Sequence, residues 1–134
     1  MSKKVFFIPL VCSFLFFVAY ILLAQTGNFL SVESGYSIND VSRWCERISG
    51  GYFREPSNAL SNIGFITTGL IMFWILSREP KGKSRFHGAS PTAIIFATAA
   101  LFLGPGSLLM HGTHTAWGQW ADLLSMIMFI SIPV

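Results

Sequence analysis

Charge is what this 134-residue sequence has least of: Asp, Glu, Lys and Arg together make up 11% of it. A water-soluble domain carries about a quarter, so there is too little charge here to cover a globular surface in water. Cysteine is nearly as scarce, with two copies. Cys12 sits in the first apolar run and Cys45 lies beyond it, and nothing puts them at one depth. A disulfide framework, a Cys metal cluster and a redox pair are therefore all excluded. There is no G-x-S-x-G sequence to present a nucleophilic serine on a sharp turn. No basic stripe is interleaved with aromatics, which excludes a nucleic-acid partner despite the net charge of +3.

Apolar residues take the space that charge leaves. They make up 52% of the chain, with thirteen Phe and four Trp, and mean hydropathy is +0.58. The class is integral membrane. Val5–Ala24, "VFFIPLVCSFLFFVAYILLA", is twenty residues without a charge. As a helix it spans about 30 Å, the thickness of the hydrocarbon core. A signal peptide has an apolar core of only about 7–15 residues, so this run reads as an uncleaved anchor. Asn58–Leu76 and Thr92 to about Met110 are the next spans, with Pro56 and Pro91 near their starts, where a missing N–H costs nothing. Asn58, Asn62, Phe65 and Gly69 share one face of the second span, which should look at other helices. Trp120–Val134 begins a fourth span. Its fifteen residues reach only about 22 Å, so the expectation is the front part of a longer protein.

Between the first two spans lies a polar interlude, Gln25–Ser57, long enough for a short amphipathic piece around "INDVSRWCERI". Its Trp44, Tyr52 and Phe53 suit the membrane interface. This segment sets Arg43, Arg47 and Arg54 against Glu33, Asp40, Glu46 and Glu55. Lys3 and Lys4 precede the first run, and Arg78, Lys81, Lys83 and Arg85 share the loop Ser77–Ser90 with Glu79 alone opposing them. That alternation predicts a cytoplasmic N-terminus. The expected architecture is all-α: a polytopic transmembrane bundle with about four segments of a larger one. It divides into an anchor (1–24), an extramembrane interfacial segment (25–57) and a transmembrane domain (58–134).

Within that domain, "GPGSLLMHGTHTAWGQWADLLSM", Gly104 to Met126, places ionisable groups where they are expensive. Ser107 and His111 are four apart and stack on one helix face. His114 continues the stripe if the helix persists, and Asp122 follows a turn expected at Gly118. Two antiparallel helices joined there bring Ser107, His111 and Asp122 together. The trio fits a buried hydrogen-bond cluster, part of a metal site, or nucleophilic catalysis, the last weakened by the missing elbow. A zinc site takes three protein ligands and an open position. His111 and His114 supply two at most, because His87 lies in the basic loop at the opposite face.

The stretch resembles the signature of the alkaline ceramidase family, within the wider group of seven-helix zinc hydrolases that includes the progestin/adiponectin-type receptors. Ser107, His111, Thr113, Gln119 and Asp122 match the family pattern at its spacing. "WCE" at Trp44–Glu46 and "REPSNALSN" at Arg54–Asn62 resemble its N-terminal region. The resemblance covers roughly Ser42 to Met126 and leaves out the first anchor. It implies Zn2+ as cofactor with His111 as first ligand, an activated water attacking a lipid amide such as ceramide, Asp122 accepting that water's proton, and Ser107 donating to the oxyanion. The family's other two zinc ligands come from an H-x-x-x-H on its last helix, and no such motif occurs in this sequence; further helices or a partner chain would be needed. The family's Ca2+-type site maps onto Trp44, Glu46 and Glu55, but Arg43 and Ile48 stand where it has Asp and Asn, which argues against calcium. The expected partners are membrane lipids and a lipid amide. The alternative is a receptor-like or structural membrane protein in which Ser107, His111 and Asp122 only hold helices together.

Overall fold

A computed structural model of the chain describes residues 3–79 and 88–132. Lys81, Lys83, Arg85 and His87 lie outside the described residues. The helices are α1 (Lys4–Ala24), α2 (Pro56–Ser61), α3 (Ile63–Arg78), α4 (Pro91–Thr113) and α5 (Ala116–Ile130). Only Asn62 separates α2 from α3, so Pro56–Arg78 works as one rod. With α1 and α4 it makes three helices long and apolar enough to cross a membrane. At 15 residues α5 is shorter. The helix starts follow local chemistry: Pro91 occupies the first position of α4, and the Ser90 hydroxyl accepts from Ala93 N–H.

Neighbouring helices run antiparallel and approach through glycine notches. A Cβ on Gly69 would stand 2.6 Å from Leu101 Cα, and one on Gly106 would fall on the Ser125 side chain and 2.8 Å from Ala121 O. Small residues let backbones approach this closely, which is how helices associate when solvent supplies no driving force. The notches also fix helix rotation. Ile66 and the Asn62 carbonyl meet Gly104, so the inward face of the rod runs through Ala59, Asn62, Ile66, Gly69, Phe73 and Leu76. Asn62 and Gly69 point inward as expected and Asn58 is half-buried, but Phe65 is 45% exposed. Past Asn62 the stripe advances four residues rather than three, to Ile66, because that is the side Gly104 receives.

Two apolar clusters hold the ends. Phe73, Leu76, Ala93 and Ala97 pack at one, and Tyr20, Ala24, Ala59 and Leu108 at the other. The amphipathic piece expected around Ile38–Ile48 does not form a helix. The chain closes into a small hairpin instead, with Asn39 N–H on Ile48 O and Ile48 N–H on Asp40 O, both 2.8 Å, and a bridge between Val41 and Arg47. Side chains redirect the backbone there: Asp40 accepts from Ser37 N–H and Ser42 from Trp44 N–H, local bonds that compete with helix formation. Asn39 and Cys45 adopt left-handed φ of 75° and 62°. Both cysteines are free and exposed.

Candidate functional site

The C-terminal end of α4 is where the polar residues gather. Its last carbonyls have no partner within the helix, and two distant loop segments complete them. Glu55 N–H bonds His111 O at 3.0 Å, Arg54 N–H bonds Gly112 O at 2.9 Å, and Ser31 N–H bonds Thr113 O at 2.8 Å. The Ser31 hydroxyl donates to His114 O at 2.7 Å, and Arg54 Nε ties the two segments together through Ser31 O at 2.8 Å. Burial at this junction lowers the Arg54 guanidinium from its ordinary value. α1 closes the far side: Tyr20 lies over Gly112, where a Cβ would meet its hydroxyl, stacks on Phe53 and donates to Tyr52 O at 2.9 Å.

This backbone pairing sets the Glu55 side chain beside that of His111. Glu55 is fully buried, and His111 Nδ1 sits 2.5 Å from its Oε2. Asn58 Nδ2 donates to the same oxygen at 3.1 Å. Burial alone would raise the Glu55 carboxyl, but hydrogen bonds from Ser42, His111 and Asn58 outweigh it and hold the group below the ordinary carboxylate range. An ionised carboxylate only accepts, so His111 carries its proton on Nδ1 and leaves Nε2 for another partner. His114 reaches the same carboxylate by a different route. The helix ends at Thr113, and His114 turns left-handed, φ 53°. Its Nε2 then stands 3.2 Å from Glu55 Oε1, outside hydrogen-bond geometry, so both ring nitrogens and Oε1 are buried without a hydrogen-bond partner. The Trp44 ring packs edge-on to both imidazoles, at 5.2 and 5.9 Å between centroids.

The turn expected at Gly118 is thus made by His114 and Thr115. Gly118 lies inside α5, pressed against Leu109 O, and the Thr115 hydroxyl caps that helix through Gly118 N–H at 3.1 Å. The antiparallel packing of α5 on α4 puts Asp122 at the level of Ser107, one turn along α4 from His111. Asp122 is buried and Ser107 half-buried. Among the described residues neither side chain hydrogen bonds to His111; the acid that meets His111 is Glu55.

The remaining sequence candidates are committed elsewhere. Glu46 accepts from Ser57 N–H and Asn58 N–H, both at 2.7 Å, across the start of α2. There its charge complements the free N–H groups of the helix end. The Arg43 guanidinium lies 4.2 Å over the Trp44 ring and 3.2 Å from Glu33. Among the described residues no group of three or more His, Cys, Asp or Glu is arranged to hold a metal ion. The donor chemistry supplies one zinc-type ligand, His111, with the carboxylate behind it that such ligands carry. It does not supply a set of three. Sequence reasoning missed Tyr20 and Ser31; an isolated tyrosine in an apolar run was the available signal for the first.

No curated protein and no solved structure matches the chain. The Ceramidase family model matches residues 40–134. Since that match takes in the Trp44 hairpin, Glu55 and all of α2 to α5, the chain belongs to the Ceramidase family.

Proposed function

We propose that this chain forms part of a membrane-embedded hydrolase that cleaves the linear amide of ceramide or a related N-acyl lipid. The observation that carries the reading is the 2.5 Å bond between His111 Nδ1 and the buried carboxylate of Glu55, inside a Ceramidase family match. A carboxylate-backed imidazole presenting Nε2 is the form in which histidine holds zinc, and zinc supplies a Lewis acid that polarises the amide carbonyl. The other ligands come from residues outside this sequence, on further helices or a partner chain. Ser107, on α4 one turn before His111, donates its hydroxyl to the carbonyl oxygen as charge gathers there. Asp122 takes a proton from the attacking water and returns it to the departing amine nitrogen. The carbon–nitrogen bond breaks, giving a fatty acid and a sphingoid-type base. Membrane embedding rests on three apolar helices and on exposed rings and chains such as Phe14, Trp120 and Ile130, which water would not tolerate as one surface. Lys3, Lys4 and Arg78 at one end of the bundle support a cytoplasmic N-terminus in this reading, under the positive-inside rule.

The test is hydrolysis of a fluorescent-acyl ceramide by the chain in lipid vesicles with added zinc, alone and co-expressed with whatever the locus encodes downstream. Activity lost in His111→Ala, with helicity kept and the chain still folded at the assay temperature, supports the reading; equal activity in that variant refutes it. A second reading, a non-catalytic receptor-like or structural membrane protein, draws support from the two histidines turned onto one carboxylate without a third ligand. It expects His111→Ala to lower stability and leave zinc binding unchanged.

A further inference from the structure

At the end of the bundle away from Glu55, α1 begins and α3 ends beside a cavity of about 550 Å³ lined by Lys3, Phe6, Phe7, Trp74, Ser77 and Arg78. That volume is in the range of small-molecule sites, about 300–1,000 Å³. Its lining is divided in kind. Three aromatic rings form the wall, and two cations stand with them where the helices emerge. Among the described residues no carboxylate lines the cavity. The neighbouring Glu79 is engaged with Gly88 N–H at 3.2 Å. The Ser77 hydroxyl donates to Trp74 O at 2.7 Å, so the cations alone carry the positive side of the site. The Arg78 guanidinium is held 4.1 Å over the Trp74 ring, which fixes its position at the cavity rather than leaving it free in solvent.

Two cations sharing one cavity repel unless an anion lies between them. A soluble anion has no use for an aromatic wall, and an apolar helix seated there would cover both charges without compensating them. An amphiphile with a negative head uses both parts. We infer that this cavity binds an anionic phospholipid, its phosphate between Lys3 and Arg78 and its acyl chain along Phe6, Phe7 and Trp74. The inference rests on the membrane reading above and not on the amidase reading. It agrees with the cytoplasmic orientation proposed above for this end, since anionic lipids concentrate in that leaflet.

The experiment uses the full chain in phosphatidylcholine nanodiscs doped with brominated-tail phosphatidylglycerol or brominated-tail phosphatidylcholine. Tryptophan quenching is read in the wild type and in Trp74→Phe, and the difference isolates Trp74. Trp74 should be quenched at lower mole fractions of phosphatidylglycerol than of phosphatidylcholine, by about fivefold for each cation. Lys3→Gln with Arg78→Gln should erase that preference, and Arg78→Lys should keep most of it. Added inorganic phosphate should leave it intact; displacement by phosphate would overturn the lipid assignment in favour of a free anion. A preference that survives the double Gln variant overturns the site. Equal quenching by the two lipids does the same while leaving the membrane reading standing. Absence of quenching by either lipid removes both.

Discussion

Replacing Glu55 should cost more than any other single change at the end of α4. The side chain is 0% exposed and receives His111 Nδ1 and Asn58 Nδ2. In Glu55→Ala these donors face a hole. Each stripped buried donor costs about 1–3 kcal/mol, and single substitutions rarely exceed about 4–5 kcal/mol. The second figure bounds the loss, because the donors share one site and their costs do not add. Glu55→Gln keeps the volume and one acceptor, so it should lose only about 1–2 kcal/mol. The assay is unfolding in detergent micelles as a double-mutant cycle of Glu55→Ala and His111→Ala. A charge-assisted bond predicts a coupling of about 1.5–3 kcal/mol. A coupling below about 0.5 kcal/mol, the level of independent sites, would refute the pairing. Acid gives a second readout. The folded carboxyl titrates below its ordinary value of about 4.5. Its stabilisation is therefore complete above that value and is lost as pH falls through the lower folded one. The wild-type unfolding temperature should drop across that acid range, and Glu55→Gln should flatten the drop.

Gly106→Ala puts a methyl onto Ser125 and 2.8 Å from Ala121 O. The helices must part, at about 1–3 kcal/mol, and adding Ser125→Gly should recover part of it; a neutral single variant would show that α4 and α5 are not in close contact. Thr115→Ala removes the α5 cap on Gly118 N–H and should cost about 1 kcal/mol, with Thr115→Ser close to wild type in the same unfolding assay. Tyr20→Phe deletes the 2.9 Å bond to Tyr52 O and should cost about 1 kcal/mol, visible as a lowered midpoint without loss of helicity.

Run length made the spans legible: Val5–Ala24 against α1 as Lys4–Ala24, and a third span that runs three residues further than expected, to Thr113. Periodicity read the face of the second span until Asn62, where either a three- or a four-residue step continues a helical stripe. The choice lay with Gly104 on another helix, which no local window contains. The turn was misplaced for a similar reason. A glycine usually marks a break, but Gly118 is small because Leu109 O lies against it, and His114 takes the left-handed position instead. Ser107, His111 and Asp122 were legible as a polar group in an apolar stretch. The partner of His111 was not, because Glu55 is 56 residues away and arrives through main-chain bonds to residues 111 and 112, which carry no sequence signal.

The way Ser31 and Tyr20 close the end of α4 bears on where the folding unit starts. The family match begins at residue 40, and a piece cut there would look complete by homology. It would also lack the donors that satisfy Thr113 O and His114 O and the ring that covers Gly112. Water or lipid would enter directly behind His111. The first helix is therefore no detachable tether: the physical boundary of this domain lies ahead of its homology boundary, and residues outside the family match are structural members of the site within it.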